Sequence, residues 1–169
     1  MPKPANIERF IREWLGREGY DELVAYVRCI SANVRMLSPG TQTPIAASSS
    51  DPAWAAGLLG RDLADNAVVL GSARAFVLTQ SRFLVLRLSG WKERVKGAEV
   101  DVDATGIVVH HVDAEQSHGH TARYFVADLP DGRWVLDSMI IVKKNGARAR
   151  FADAADAFLD ALGDRSIPI

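Results

Sequence analysis

The chain has 169 residues, 48% of them hydrophobic and 24% charged, which suffices for one domain with a real core and a modest extension. A formal net charge of −1 excludes global electrostatic attraction to nucleic acid, so no nucleic-acid partner is expected. Cys29 is the only cysteine, which excludes an intramolecular disulfide and a cysteine-based zinc knuckle.

Lys3 is followed by charged residues in a helical pattern and by no apolar run, so no signal peptide is expected. Nothing approaches the roughly 18 uninterrupted apolar residues of a membrane span, and the expected compartment is the cytoplasm. Ile7, Phe10, Ile11, Trp14 and Leu15 recur at helical spacing. Asn6 is placed to cap this helix, Glu8 suits its positive end, and Gly16 or Gly19 ends it. The stripe covers the core or docks a partner.

Leu23, Val27, Ile30, Val34 and Leu37 fit a helix, yet Leu23-Val24-Ala25-Tyr26-Val27 also reads as a strand, favoured from about Glu22 to Ile30. Thr41 to Pro52 is a loop rich in Pro and Ser. Pro52 then opens a short helix that would bury Trp54, Leu58 and Leu59.

From Asn66 the period changes to short strands. Val68-Val69-Leu70 opens the series, and Phe76-Val77-Leu78 and Phe83-Leu84-Val85-Leu86 form a hairpin around Gln80-Ser81. Val100 to Asp103 alternates with one wet face. Ile107 to Val109, Arg123 to Asp128 and Trp134 to Leu136 follow, with turns at Pro130-Asp131-Gly132 and Asn145-Gly146. Phe151, Ala155, Phe158, Leu159 and Leu162 make a last helical stripe, ended by Gly163.

The pattern predicts a mainly β, α+β fold: a small, strongly bent antiparallel barrel capped by a C-terminal helix, with an N-terminal helical extension. Residues 1–65 are read as the extension packed on the core, 66–163 as barrel plus helix, and 164–169 as a tail.

The hairpin string from Phe76 to Leu86 resembles that of bacterial pleckstrin-homology-like (PH-like) domains, which read as apolar strand, Thr-Asp-Arg-Arg, apolar strand. Thr79 and Arg82 match, whereas Gln80 and Ser81 depart. The later order is also similar: an alternating strand, a Gly-led strand, a pair joined by Pro-Asp-Gly, and a terminal helix rich in Ala and Phe. The likeness runs from about Asn66 to Leu162. It implies a bent barrel plugged by a C-terminal helix, and a scaffold for lipids, peptides or copies of itself that is seldom an enzyme. Relatives that bind phosphoinositides use a basic first loop, and none is identified in this sequence.

All four histidines lie between His110 and His120. If Ala114 to Ser117 were the loop of a hairpin, Asp113 would face His118 and His111 would face His120, a set of ligands suited to zinc or nickel. Other readings are a polar loop and a pH-sensitive contact. Lys143, Lys144, Arg148 and Arg150 form a basic group between the last strand and the helix, read as a solvated loop or as a surface for phosphate or peripheral contact with anionic membrane. Lys92, Arg94 and Lys96 beside Trp91 form a second one. Asp101 and Asp103 share one strand face, more in keeping with an outward polar face than with acid/base work. No catalytic motif is recognisable. The expected function is a non-enzymatic binding or assembly module, with self-association through strand edges; the alternatives are metal binding and anionic lipid-surface binding.

Overall fold

A computed structural model describes residues 3–29, 52–62, 67–68, 73–89, 94–116 and 119–169. Helix α1 is Pro4–Glu18, α2 is Pro52–Leu58 and α3 is Ala152–Leu162. The strands are β1 Leu23–Cys29, β2 Ala67–Val68, β3 Arg74–Thr79, β4 Arg82–Leu88, β5 Val95–Asp103, β6 Val108–Glu115, β7 Thr121–Asp128, β8 Trp134–Val142 and β9 Ser166–Pro168.

The molecule is α+β and mostly sheet. One sheet has the order β1-β3-β4-β5, and the other β2-β8-β7-β6-β9. The first is an antiparallel meander throughout. In the second, β6, β7 and β8 form a meander, while β2 and β9 add short parallel edges. Among the described residues the two sheets share no strand pairing, so the closed barrel wall expected from strand spacing is replaced by two separate sheets. Sheet pairing also crosses the division placed at residue 65, because β1 is bonded to β3. The expected tail contains a 3₁₀ turn and β9, which pairs with β6.

Helix α1 buries Ile7, Ile11, Trp14 and Leu15, so the stripe covers its own core. The helix begins at Pro4, with Lys3 as N-cap, and Asn6 lies inside the first turn instead of capping it. Proline at the first helical position costs no hydrogen bond and takes over the starting role. Gly19, at φ 81°, closes the helix in the left-handed region. Trp14 stacks on Tyr20 at 5.5 Å, and the Tyr20 hydroxyl donates to Asp101 at 2.7 Å.

The β1 segment is strand, as favoured from its Val and Tyr content. The β3–β4 hairpin turns at Gln80-Ser81. Its backbone N–H of Arg82 donates to Thr79 Oγ1 at 2.9 Å, and that of Ser81 to Asp21 at 2.9 Å. Asp101 and Asp103 face outward: Arg82 donates to Asp101, and Asp103 caps the 3₁₀ turn Ala104–Gly106.

Phe76 is the hub of the interior, with Phe83, Phe125 and Phe158 rings 5.6, 6.4 and 6.4 Å away. Phe158, Leu159 and Leu162 bring α3 into this core, as its stripe predicts. A second, smaller core lies on the opposite face of the β6–β8 sheet. There α2 and the turn that follows it set Ala55, Ala56 and Leu59 against Tyr124, Trp134 and Leu136. Trp54 and Leu58, expected to be buried, are half-buried at its margin. The Thr41 to Pro52 loop lies outside the described residues except for Pro52, as do Val69, Leu70 and Trp91 to Glu93.

Candidate functional site

The β6–β7 register differs from the one the short hairpin loop required. The β6–β7 ladder continues to Glu115↔Thr121, which places Asp113 opposite Arg123 and His111 opposite Phe125. Two features of the ladder account for this register. Arg123 donates to both Asp113 oxygens, at 2.7 and 3.0 Å, and Phe125 fills the core beside Phe76. A one-residue slip would expel that ring.

Neighbouring His110 and His111 then point to opposite sheet faces. His110 Nε2 lies 3.2 Å from Asp128, which Arg61 holds from α2's side with two 2.6 Å hydrogen bonds. His111 lines a cleft against α3 with Arg123, Asp156 and Asp160. Burial, reinforced by the Arg123 charge, holds its pKa below the ordinary histidine value. His120 Nδ1 accepts from the backbone N–H of Lys144 at 3.0 Å. His118 lies outside the described residues. Among the described residues, no three His, Cys, Asp or Glu side chains are grouped to hold a metal.

The basic group between β8 and α3 divides in two. Arg148 turns toward α3, donating to Asp153 at 2.7 Å and to Asp156. Asp156 also accepts from Arg123 at 2.7 Å, so Asp113, Arg123, Asp156, Arg148 and Asp153 form one chain of ion pairs. The stem of Lys144 packs beside Gly119, where an added Cβ would come within 3.2 Å of it.

Lys143 and Arg150 instead border a cavity of about 250 Å³ together with Arg28 and His120. Its apolar lining is Met139, Ile140, Ala149 and Phe151. The turn at Asn145-Gly146 folds the chain back on itself: Lys143 N–H donates to Ala147 O at 2.8 Å and Ala149 N–H to Ile141 O at 2.9 Å. That return carries Arg150 and Phe151 alongside Lys143. The Arg28 guanidinium stands 5.6 Å from the Phe151 ring centre, an arrangement that attracts the cation to the ring face.

Behind Arg28 lies a buried polar cluster. Arg74 Nε is 3.3 Å from Asp137 Oδ2, and both side chains are essentially excluded from solvent. Asp137 also accepts from Ser138 N–H at 2.8 Å. Burial outweighs the neighbouring Arg74 charge and pushes the Asp137 pKa up to about 6. Cys29, on the same strand as Arg28, is fully buried, and burial pushes its thiol well above the ordinary range. A thiol held neutral is a core residue and a poor nucleophile.

Sequence reasoning had named Lys143 and Arg150 but missed Arg28, Arg74 and Asp137. A signal was present: Arg28 interrupts the apolar run Leu23 to Cys29, and Asp137 is a lone carboxylate between Leu136 and Met139. Opposite charges set into strands that otherwise read as buried point to a pair across the core.

With this geometry in hand, comparison with known proteins adds no likeness: no protein-family model, no curated protein and no solved structure matches the chain.

Proposed function

We propose that this chain is a non-enzymatic binding module on a PH-like frame, and that its ligand presents an anionic group joined to an apolar one. The order of elements supports the frame: a four-stranded meander (β1, β3, β4, β5), a three-stranded meander (β6 to β8), then a terminal helix packed on the core. A frame alone assigns no function. The observation that carries the ligand class is the cavity at the end of β8, where Arg28, Lys143 and Arg150 stand around Met139, Ile140 and Phe151. Cations beside an apolar floor favour an anion that brings its own hydrocarbon, because the tail excludes water and strengthens the charge contact.

The test is calorimetric titration with octyl phosphate and, as control, octyltrimethylammonium. Octyl phosphate binds the wild-type chain, and Lys143→Glu/Arg150→Glu weakens it by about tenfold or more, the equivalent of losing ~1.4 kcal/mol. Equal affinity of wild type and double variant, or equal affinity for the cationic probe, overturns the reading.

Among the described residues the first sheet also ends at β5, most of which is exposed, and assembly through such an edge is the second arm of the proposal. Sedimentation velocity over a concentration series tests it. A single monomeric species at every concentration removes it.

A further inference from the structure

The cleft between α3 and the second sheet shares no lining residue with the cation-lined cavity. It measures about 650 Å³, a size that holds a small molecule. Its walls follow from local spacing. On α3, Asp156, Leu159 and Asp160 stand at i, i+3 and i+4 and share one helix face, and Gly163 continues that wall past the helix end. On the sheet, β9 runs parallel to β6 and pairs Pro168 with His111, and the Ile169 N–H donates to His111 O at 3.0 Å. Ser166 and Pro168, two apart on β9, point to the same face, and both line the cleft. Arg123 enters from β7, on the other side of β6.

The charges in this cleft do not balance. Its lining holds one cation, Arg123, and two carboxylates, Asp156 and Asp160. Arg123 is engaged by Asp113 and Asp156, and the second oxygen of Asp156 accepts from Arg148. The Asp160 carboxylate, the Ser166 hydroxyl and the ring nitrogens of His111 make no hydrogen bond or ion pair among the described residues. Burial and the Arg123 charge favour the uncharged imidazole, and an uncharged imidazole keeps one nitrogen as an acceptor. Three acceptors are therefore open, one of them a full negative charge, beside the apolar Leu159 and Pro168. A primary ammonium is the complementary group, with three donors and no acceptor. An anion would meet the surplus carboxylate with no unengaged cation in the lining. A divalent metal finds too few ligands, since no three His, Cys, Asp or Glu side chains are grouped to hold one among the described residues.

We propose that the cleft between α3 and the β6–β9 edge binds a small aliphatic primary amine, whose ammonium donates to Asp160, His111 and Ser166 while its carbons lie on Leu159 and Pro168. The bond to Asp160 is charge-assisted and supplies most of the selectivity. A quaternary ammonium carries the charge without the donors, and an alcohol carries a donor without the charge, so both bind worse. The site stands apart from the anion-binding cavity and does not depend on it.

The experiment titrates the full chain at neutral pH with pentylamine, pentyltrimethylammonium and 1-pentanol, by calorimetry and by NMR of the histidine ring protons. The His111 signals are identified by their loss in His111→Gln. Pentylamine binds and moves those signals, and the other two probes bind about tenfold more weakly or worse. Asp160→Asn, with an unchanged circular dichroism spectrum, lowers pentylamine affinity by about tenfold or more. Lys143→Glu/Arg150→Glu leaves pentylamine affinity unchanged, so failure of the octyl phosphate test and failure of this one are separate results. No binding of pentylamine overturns the proposal. So does wild-type affinity in Asp160→Asn, or pentanol or the quaternary ion bound as tightly as the amine, or His111 signals that stay fixed as the amine saturates the protein. Zinc ion that moves the His111 signals where pentylamine does not overturns it in favour of a metal. Nα-acetyllysine methylamide bound more tightly than pentylamine overturns it in favour of a partner's lysine side chain.

Discussion

Arg74 and Asp137 meet 3.3 Å apart across the gap between the two sheets, with 1% and 0% of their side chains exposed. β3 supplies the guanidinium and β8 the carboxylate, and no backbone pairing among the described residues joins those strands. Removing one partner strands a charge in the interior. Asp137→Ala is expected to cost about 3–5 kcal/mol of stability, whereas Arg74→Met/Asp137→Leu restores most of it because both desolvation costs vanish together. Urea unfolding of the two single variants and the double variant measures the difference. A double variant as unstable as Asp137→Ala contradicts the account.

Asp137 also imposes a pH dependence of definite sign. Its folded pKa is raised to about 6, above the ordinary carboxylate value near 3.9. The folded state therefore binds a proton more tightly than the unfolded chain. This group's contribution to stability falls as pH rises from about 4 to about 6 and is level on either side. Asp21, Asp103, Asp131 and Asp156 have lowered pKa values and act oppositely, losing stability as pH falls. Subtracting the Asp137→Asn variant isolates the one group. The wild type should lose stability relative to Asp137→Asn between pH 4 and 6, as read from urea midpoints at each pH.

How much of this was readable beforehand follows from the range of each interaction. Helix α1, the Gln80-Ser81 hairpin and the turns at Gly132 and Gly146 are set by neighbours within one or two turns of chain, and they form where the pattern puts them. The β6–β7 register depends on Arg123 finding Asp113 and on Phe125 finding Phe76 from another sheet. Alternation along a single strand does not carry that information, so the expected cross-strand partners of His111 and Asp113 were misplaced. The cavity was half legible. Lys143 and Arg150 flank a turn and read as a basic group, but Arg28 comes to them only through the packing of β1 beside β8 and Phe151.

Ile11 reports on whether α1 is part of the domain. It is fully buried and belongs to the same cluster as Phe76 and Val85 on the first sheet. Ile11→Ala should destabilise the whole chain by about 2–5 kcal/mol, the range for a buried aliphatic truncation. A single unfolding transition shifted by that amount, followed by tryptophan fluorescence and circular dichroism together, marks α1 as integral. A variant that unfolds with the wild-type midpoint would make the helix an appendage.

Two glycines separate backbone freedom from close approach. Gly16 lies inside α1, and a Cβ there meets nothing within 4 Å. Gly16→Ala keeps the helical backbone and restricts the unfolded chain, so it should add roughly 0.5–1 kcal/mol. At Gly106, which ends the 3₁₀ turn before β6, a Cβ would come 2.6 Å from Pro130 Cγ. Pro130 belongs to the β7–β8 turn, and its ring has little freedom to withdraw. Gly106→Ala therefore forces that turn away from the 3₁₀ turn at a cost of about 1–3 kcal/mol. Gly106→Ala/Pro130→Ala should recover most of the loss, since the clash is with the ring itself. Thermal unfolding of the three variants checks the order, and a Gly106→Ala chain as stable as wild type would mean that the two turns are not in contact.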